Sequence, residues 1–362
     1  MTGVTPCLMP TGLLVYWKAS TRLPFPTWPR RPRRRGFLFD PPRAALVSPA
    51  PIGYGAAMAV EIPFRRELHV EYGAVAQLTP LIRRVVARNP SPFTFKGTGT
   101  YIVGKGSVAV IDPGPDLAAH VDALLAALAG ETISHIVITH THLDHSPAAA
   151  AVKAASGAKT YGFGPHGSGR AEDRSGVGGV TEEGGDHAFR PDIVLRDGDS
   201  VAGPGWRLTA VHTPGHTSNH LCFALAEERA LFSGDHVMGW STSVIAPPDG
   251  DMSAYMRSLN KLLARDDAIF WPTHGPPIPD PKPFVGAFIA HRQERAAAIL
   301  ERLAQGDDTI PAIVERVYLG LDPRLKGAAA RSVLAHLVEL VELGQIESDG
   351  APALDARYRL KR

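Results

Sequence analysis

The chain has 362 residues, 44% of them hydrophobic, and a formal net charge of +2. That length allows one large domain and a smaller one, and no apolar run reaches the roughly 18 residues that read as a membrane span. Cys7 and Cys222, the only cysteines, sit in unlike contexts and fit a reducing, cytoplasmic setting rather than a disulfide framework.

Charge and proline are unevenly spread. Residues 1–57 carry Lys18 and seven arginines against Asp40 alone, together with ten prolines and the run Arg30-Arg31-Pro32-Arg33-Arg34-Arg35. The remainder is mildly acidic, which argues against tight non-specific binding to long nucleic acid. The apolar stretch Gly12 to Trp17 is too short for a secretory signal, and prolines break the amphipathic helix that a transit peptide needs. Residues 1–57 therefore read as a disordered Pro/Arg-rich leader, with Met58 as an alternative start.

From Val60 the patterning becomes globular. Val75 to Thr79 and Arg83 to Ala87 read as strands, and Asn89-Pro90-Ser91-Pro92 leads into Phe93 to Gly104. Val108 to Ile111 is an apolar strand ending in Asp112-Pro113-Gly114. Leu117, Val121, Leu124, Leu125 and Leu128 fall at helical spacing. Ile133 to Ile138 is rich in β-branched residues and predicts a buried strand, followed by a small-residue helix over Pro147 to Ala155.

Between that strand and that helix the chain reads Thr139-His140-Thr141-His142-Leu143-Asp144-His145, three imidazoles and one carboxylate within six residues. Neutral imidazole nitrogens and a carboxylate oxygen are the donors that zinc and similar divalent ions prefer. Packing gives no reason for such crowding, because protonated rings this close repel one another. The cluster follows the C-terminal end of a strand, where α/β folds place their chemistry.

Gly162-Phe163-Gly164-Pro165-His166-Gly167 matches a GxGxxG dinucleotide motif in form. It contains a proline and runs into a polar stretch instead of opening an apolar helix, so that reading fails its context test. The segment from Gly164 to Pro191 is rich in glycine and charge and predicts a long loop bordering the cleft, either a lid or an insertion.

Three later strands end in one potential ligand each. Thr213-Pro214-Gly215-His216 closes a strand beginning near Leu208, Ser233-Gly234-Asp235 closes Ala230 to Phe232, and Pro272-Thr273-His274-Gly275 closes Ala268 to Trp271. Of the other histidines, His212, His220 and His236 lie near these ligands in sequence, and His166 lies in the long loop. His69, His120, His135, His187, His291 and His336 read as surface or structural.

The order HxHxDH, lone His, Asp, final His resembles the metallo-β-lactamase superfamily, with all seven positions filled and the usual Pro-Gly-His, Ser-Gly-Asp and His-Gly contexts. The resemblance implies an αββα sandwich (α+β class) and a centre of two divalent ions, zinc in the first place with iron or manganese as alternatives. It places the first ion on His140, His142 and His216, the second on Asp144, His145 and His274, with Asp235 bridging. Asp144, His145 and Asp235 are thereby also catalytic. A pair of ions roughly 4 Å apart can share a hydroxide that serves as nucleophile. Asp112 matches a recurrent acidic position and reads either as a group orienting a metal histidine or as a turn cap.

After His274, Pro279, Pro281 and Pro283 mark a boundary, giving a catalytic domain over 58–284 and a second domain over 285–362. The second holds helices predicted over Phe284 to Ala304, Ile310 to Tyr318 and Ala328 to Leu343, then a hairpin of Gln345-Ile346-Glu347 with Arg357 to Leu360. This is a winged-helix pattern. With the Phe93 to Gly104 segment, it resembles the beta-lactamase-like protein 2 group. That group usually has Asn as the third residue of Gly-Thr-x-Thr, where this chain has Gly99, a change that removes a polar contact at the edge of the site.

The domain from Val285 onward is electrically neutral, whereas phosphate contacts need clustered Lys and Arg. Arg324, Lys326 and Arg331, with Arg357, Arg359, Lys361 and Arg362, are the basic residues it offers. A structural or dimerising role is expected of it, ahead of RNA contact. The primary expectation for the whole chain is hydrolysis of a small-molecule carboxylic ester, thioester, lactone or amide. Cleavage of single-stranded RNA, which the resemblance to an endoribonuclease implies, is the alternative. A nucleic-acid-binding regulator with a vestigial metal site is a third reading, against which the intact ligand set counts.

Overall fold

A computed structural model describes residues 61–170 and 184–362. The expected leader and the centre of the Gly-rich loop lie outside the described residues.

The described chain runs β1 (Val75–Gln77), β2 (Ile82–Val86), β3 (Gly99–Lys105), β4 (Ser107–Ile111), α1 (Ala118–Ala127), β5 (Thr132–Val137), α2 (Ala149–Ser156), β6 (Lys159–Gly162), β7 (Ile193–Val194) and β8 (Ser200–Gly203). It continues with β9 (Trp206–His212), β10 (Leu221–Leu225), β11 (Ala230–Gly234), α3 (Met252–Leu263), β12 (Ile269–Pro272), β13 (Ile278–Pro279), α4 (Pro281–Ala304), α5 (Ile310–Val317), α6 (Lys326–Glu342), β14 (Ile346–Ser348) and β15 (Tyr358–Leu360).

Strands β1 to β7 form one sheet in sequence order, and a second runs β13-β12-β11-β10-β9-β8. The pairs β4–β5, β5–β6 and β6–β7 are parallel. Helices α1 and α2 serve as the first two crossovers, as parallel pairing requires. Strands β11 and β12 also pair in parallel, joined through α3.

Side chains alternate across each strand, and the alternation builds three apolar layers. Tyr101, Val103, Ala109, Ile111 and Val137 face Leu208, Ala210, Leu221, Phe223, Phe232 and Trp271 between the sheets. Ile102, Val108, Val110 and Ile136 point the other way, under Val121 and Leu124 of α1 and Val152 of α2. Val211, Cys222, Leu231 and Phe270 pack against Tyr255 and Leu259 of α3 and Phe284 and Phe288 of α4. This is the expected αββα sandwich. Phe223 and Phe232, both inaccessible at its centre, each contribute about 1.5–3 kcal/mol by burial.

The C-terminal helices enclose a core of their own, with Ile313, Val333, Leu337, Ile346 and Tyr358 among its members. The β14–β15 hairpin forms the wing. Helix α4 begins at Pro281, three residues before the start predicted from the sequence. Proline is tolerated in a first turn, where the missing N–H would have had no partner. The helix crosses the expected boundary at 284/285: Phe284, Val285 and Phe288 belong to the catalytic layer, Ile299 and Leu303 to the winged-helix core. Ala335 of α6 also reaches the catalytic layer.

Helix α3 has no counterpart among the predicted elements. Asp251 caps it, its side chain accepting from the Ala254 amide at 2.9 Å.

Candidate metal centre

The loops after β5, β9, β11 and β12 meet at one edge of the sandwich and bring all seven predicted residues together. His140 Nε2 lies 3.0 Å from His142 Nδ1, which lies 3.1 Å from His216 Nε2. His274 Nε2 is 3.0 Å from Asp144 Oδ2, and His145 Nε2 is 3.5 Å from the same oxygen. Asp235 stands between these groups, its Oδ2 at 3.5 Å from His145 Nε2, 3.4 Å from His274 Nε2 and 3.8 Å from His216 Nε2. Three overlapping sets of potential ligand atoms result: His140, His142 and His216; His140, His145 and Asp235; and Asp144, His145 and His274.

The electrostatics of the cluster are those of groups awaiting a cation. Burial, reinforced by neighbouring imidazoles, holds His140 and His142 well below the usual histidine range. Burial alone would raise Asp144 and Asp235, yet the His145 and His274 rings hold both carboxyls below their ordinary values. The buried atoms His145 Nε2 and Asp235 Oδ1 have no hydrogen-bond partner among the described residues. Three imidazole nitrogens within hydrogen-bond distance share too few protons to satisfy one another, whereas a divalent ion accepts all three lone pairs. The donor set therefore fits metal.

The outward-facing nitrogens of His145, His216 and His274 each lie against an oxygen acceptor, the arrangement usual for ligating histidines. Nδ1 of His216 donates to the Val244 carbonyl at 2.6 Å and Nδ1 of His274 to the Gly97 carbonyl at 3.1 Å, which turns each Nε2 towards the cluster. His145 Nδ1 lies 2.9 Å from Asp112 Oδ2. Asp112 also accepts from the Thr139 amide, the Thr139 hydroxyl and the Thr273 hydroxyl. Its backbone adopts the left-handed φ of 49°. These contacts serve both roles open to it from sequence, holding the His145 ring and the turn at Thr139.

Other sequence candidates divide. His220 lies beneath His140, with ring centroids 5.1 Å apart, and its Nε2 accepts from the Asp235 amide at 3.3 Å. His236 is buried against Tyr255 and pushed down to about 3 by desolvation. His212 stacks on Phe163 and bonds the Ser218 carbonyl, so it is occupied elsewhere. His166 approaches Thr141 Oγ1 at 2.9 Å, with its ring centroid 6.2 Å from that of His142. The GxGxxG look-alike opens no helix; Ser168 closes a turn onto the Pro165 carbonyl.

Gly99 is close-packed. Its amide donates to the Thr273 carbonyl at 2.9 Å, and an added Cβ would meet that oxygen at 3.1 Å. The polar contact to the site's edge comes from Thr98, whose hydroxyl reaches Asp144 Oδ2 at 3.3 Å.

A cavity of about 450 Å³ opens over the cluster, lined by five of the predicted ligands and by Ser91, Phe93, Thr94, Leu143, Gly184 and Arg331. Gly184 places the exit of the long loop at the cleft. The Leu143 amide donates to its carbonyl at 3.0 Å, and His142 bridges to Gly185. Phe93 and Leu143 keep 43% and 53% of their surface exposed, an apolar lip beside the charged floor.

The chain belongs to the metallo-beta-lactamase superfamily, whose profile matches residues 94–274. A second profile, that of the beta-lactamase associated winged helix domain, matches residues 309–355. The chain is a hydrolase of that superfamily and carries this winged helix after its catalytic domain. An atrochrysone carboxyl ACP thioesterase of Paecilomyces divaricatus is 36% identical over 57% of this chain and 59% of its own length. A beta-lactamase-like protein 2 homolog of Caenorhabditis elegans is 30% identical over 77% of this chain and 90% of its own. Among solved structures, a metallo-beta-lactamase family protein from Thermus thermophilus superposes with a TM-score of 0.63 at 25% identity, covering 79% of this chain and all of that one.

Proposed function

We propose that this chain hydrolyses the thioester of an acyl group carried on a pantetheine-type arm. His140, His142 and His216 would hold one divalent ion, Asp144, His145 and His274 a second, with Asp235 shared. Zinc suits this nitrogen-rich set best, with iron or manganese as alternatives. Such ions polarise a carbonyl and bring the pKa of a water towards neutrality.

The carrying observation is the convergence of seven donors under a cavity of about 450 Å³ with an apolar lip. That size suits a small ligand. Phe93 and Leu143 cover the apolar part of an acyl chain and keep bulk water off its carbonyl. Asp112 and the carbonyls of Gly97 and Val244 hold His145, His274 and His216 in the orientation that presents Nε2 to the site. The relative named as an ACP thioesterase supports a thioester ahead of an amide or lactone. Electrical neutrality of the winged helix and the mildly acidic body weigh against single-stranded RNA.

The test combines metal analysis of purified protein with turnover of a panel of acyl thioesters, lactones, bis-p-nitrophenyl phosphate and single-stranded RNA. Metal-dependent cleavage of thioesters ahead of the rest is expected. RNA cleavage with thioesters left intact would assign the site to phosphodiester chemistry instead.

A further inference from the structure

Helix α6 of the winged helix sends one cationic side chain into the catalytic cavity, that of Arg331. Its setting differs from those of the other arginines nearby. Arg324 is paired with Asp322 at 2.7 Å, Arg292 donates to the Ser243 carbonyl, and Arg295 donates to the Val317 carbonyl at 3.0 Å. The Nε of Arg331 is buried without an acceptor, as are those of Arg292 and Arg295, but Arg331 alone of the four makes no ion pair or hydrogen bond among the described residues. A buried N–H lacking an acceptor is costly, more so on a charged group. The carboxylates that line the same cavity, Asp144 and Asp235, are committed to the imidazoles of His145 and His274.

We propose that Arg331 binds the substrate by an anionic group, a carboxylate or a phosphate, making the winged helix a wall of the active site. The fork of Nε–H and Nη–H matches two oxygens of such a group in a bidentate pair, which a neutral ester cannot form. The substrate is thus an acyl thioester carrying a negative charge away from the bond that breaks. Either half can supply it: a carboxylate on the acyl group or a phosphate on the pantetheine arm. The assignment rests on the thioester reading above for the identity of the bond cleaved, but the anion site can be measured apart from it.

Four substrates separate the sources: acetyl-pantetheine, malonyl-pantetheine, acetyl-4′-phosphopantetheine and malonyl-4′-phosphopantetheine. In the metal-loaded full chain, Arg331→Gln is expected to lower kcat/KM roughly 30-fold or more for the charged substrate that Arg331 reads, mainly through KM. The loss on acetyl-pantetheine should be several-fold smaller than the loss on that charged substrate, and Arg331→Lys should recover part of the difference. A loss confined to the malonyl pair identifies the acyl carboxylate, and one confined to the phosphorylated pair identifies the arm. Calorimetric binding of malonate and of inorganic phosphate to both proteins supplies the second readout, with thermal unfolding as the check on folding. If wild type cleaves none of the four but Arg331→Gln weakens anion binding, the thioester reading falls and the anion site stands. Equal anion binding by the two proteins, no binding by either included, or an equal kinetic loss on neutral and charged substrates, overturns the proposal.

Discussion

Asp112 Oδ2 lies 2.9 Å from His145 Nδ1, and both side chains are buried at the seam between the sheets. The same carboxylate collects a backbone amide and two hydroxyls, from Thr139 and Thr273. One residue at the end of β4 thereby ties the loop after β5 to the loop after β12 and sets the ring of a candidate ligand. Asp112→Asn keeps the shape but replaces one acceptor oxygen with a donor. It is expected to weaken metal binding about 10- to 100-fold and to cost roughly 1–3 kcal/mol of stability. Metal titration and chemical unfolding of the variant check this; unchanged affinity would assign Asp112 to the turn alone.

His142 is half-buried and its Nδ1 faces both His140 and His216. Removing its ring exposes little apolar core, so His142→Ala should retain the fold while turnover falls to background. Circular dichroism and steady-state kinetics on one preparation decide the matter. Full activity in this variant would contradict a metal-based reaction.

The metal-free cluster stores protons. Burial disfavours a charged His274 ring, but Asp235 and Asp144 outweigh it and push the ring up to about 10. His145 is raised well above its ordinary value against the same burial by Asp144, Asp235 and Asp112. His274 therefore holds its proton at neutral pH until an ion displaces it, so loading should release protons and tighten as pH rises. In the metal-free protein the sign for folding is the reverse: the His274 contribution is complete below the unfolded value near 6.5 and is lost as pH climbs towards 10. Calorimetry in buffers of different ionisation enthalpy reads the proton count at pH 7, where a net release is expected. Loading without proton release would be the contrary result.

Gly215 immediately precedes His216 and adopts φ +145°, where an added Cβ would lie 2.4 Å from the Tyr255 Cα in α3. Backbone cannot yield as a flexible side chain can. Gly215→Ala should push the His216 loop off the helix, lowering the melting temperature and metal affinity together. A variant that matches wild type in both would show that the loop adjusts freely.

The ligand set is legible in the sequence because each member follows an apolar strand and stands within two residues of Gly, Pro or a second ligand, a pattern that survives without knowledge of the fold. The sandwich is legible only through the family resemblance that this ligand order carries, and strand alternation agrees with it by sorting Tyr101 from Ile102 and Phe223 from Cys222. What escapes the sequence is of a different kind. The acceptors for His216 and His274 are backbone carbonyls of Val244 and Gly97, which any residue type could supply. Helix α3 is a different case, because Met252, Tyr255, Leu259 and Leu262 form an inward stripe at helical spacing that the sequence does carry, although it is absent from the predicted elements. Arg331 is visible in the sequence only as one of several basic residues on a neutral domain. Its entry into the cavity depends on how α6 packs against the catalytic layer through Ala335.

His140, His142, Asp144 and His145 hang from the seven-stranded sheet, and His216, Asp235 and His274 from the six-stranded one. A chain cut between β7 and β8 would leave each fragment holding an incomplete set of donors, so ion capture becomes a reporter of the two leaves closing on each other. Chelation should accordingly loosen both leaves at once, and refolding from separate fragments should show its gain in metal affinity only after they reassociate.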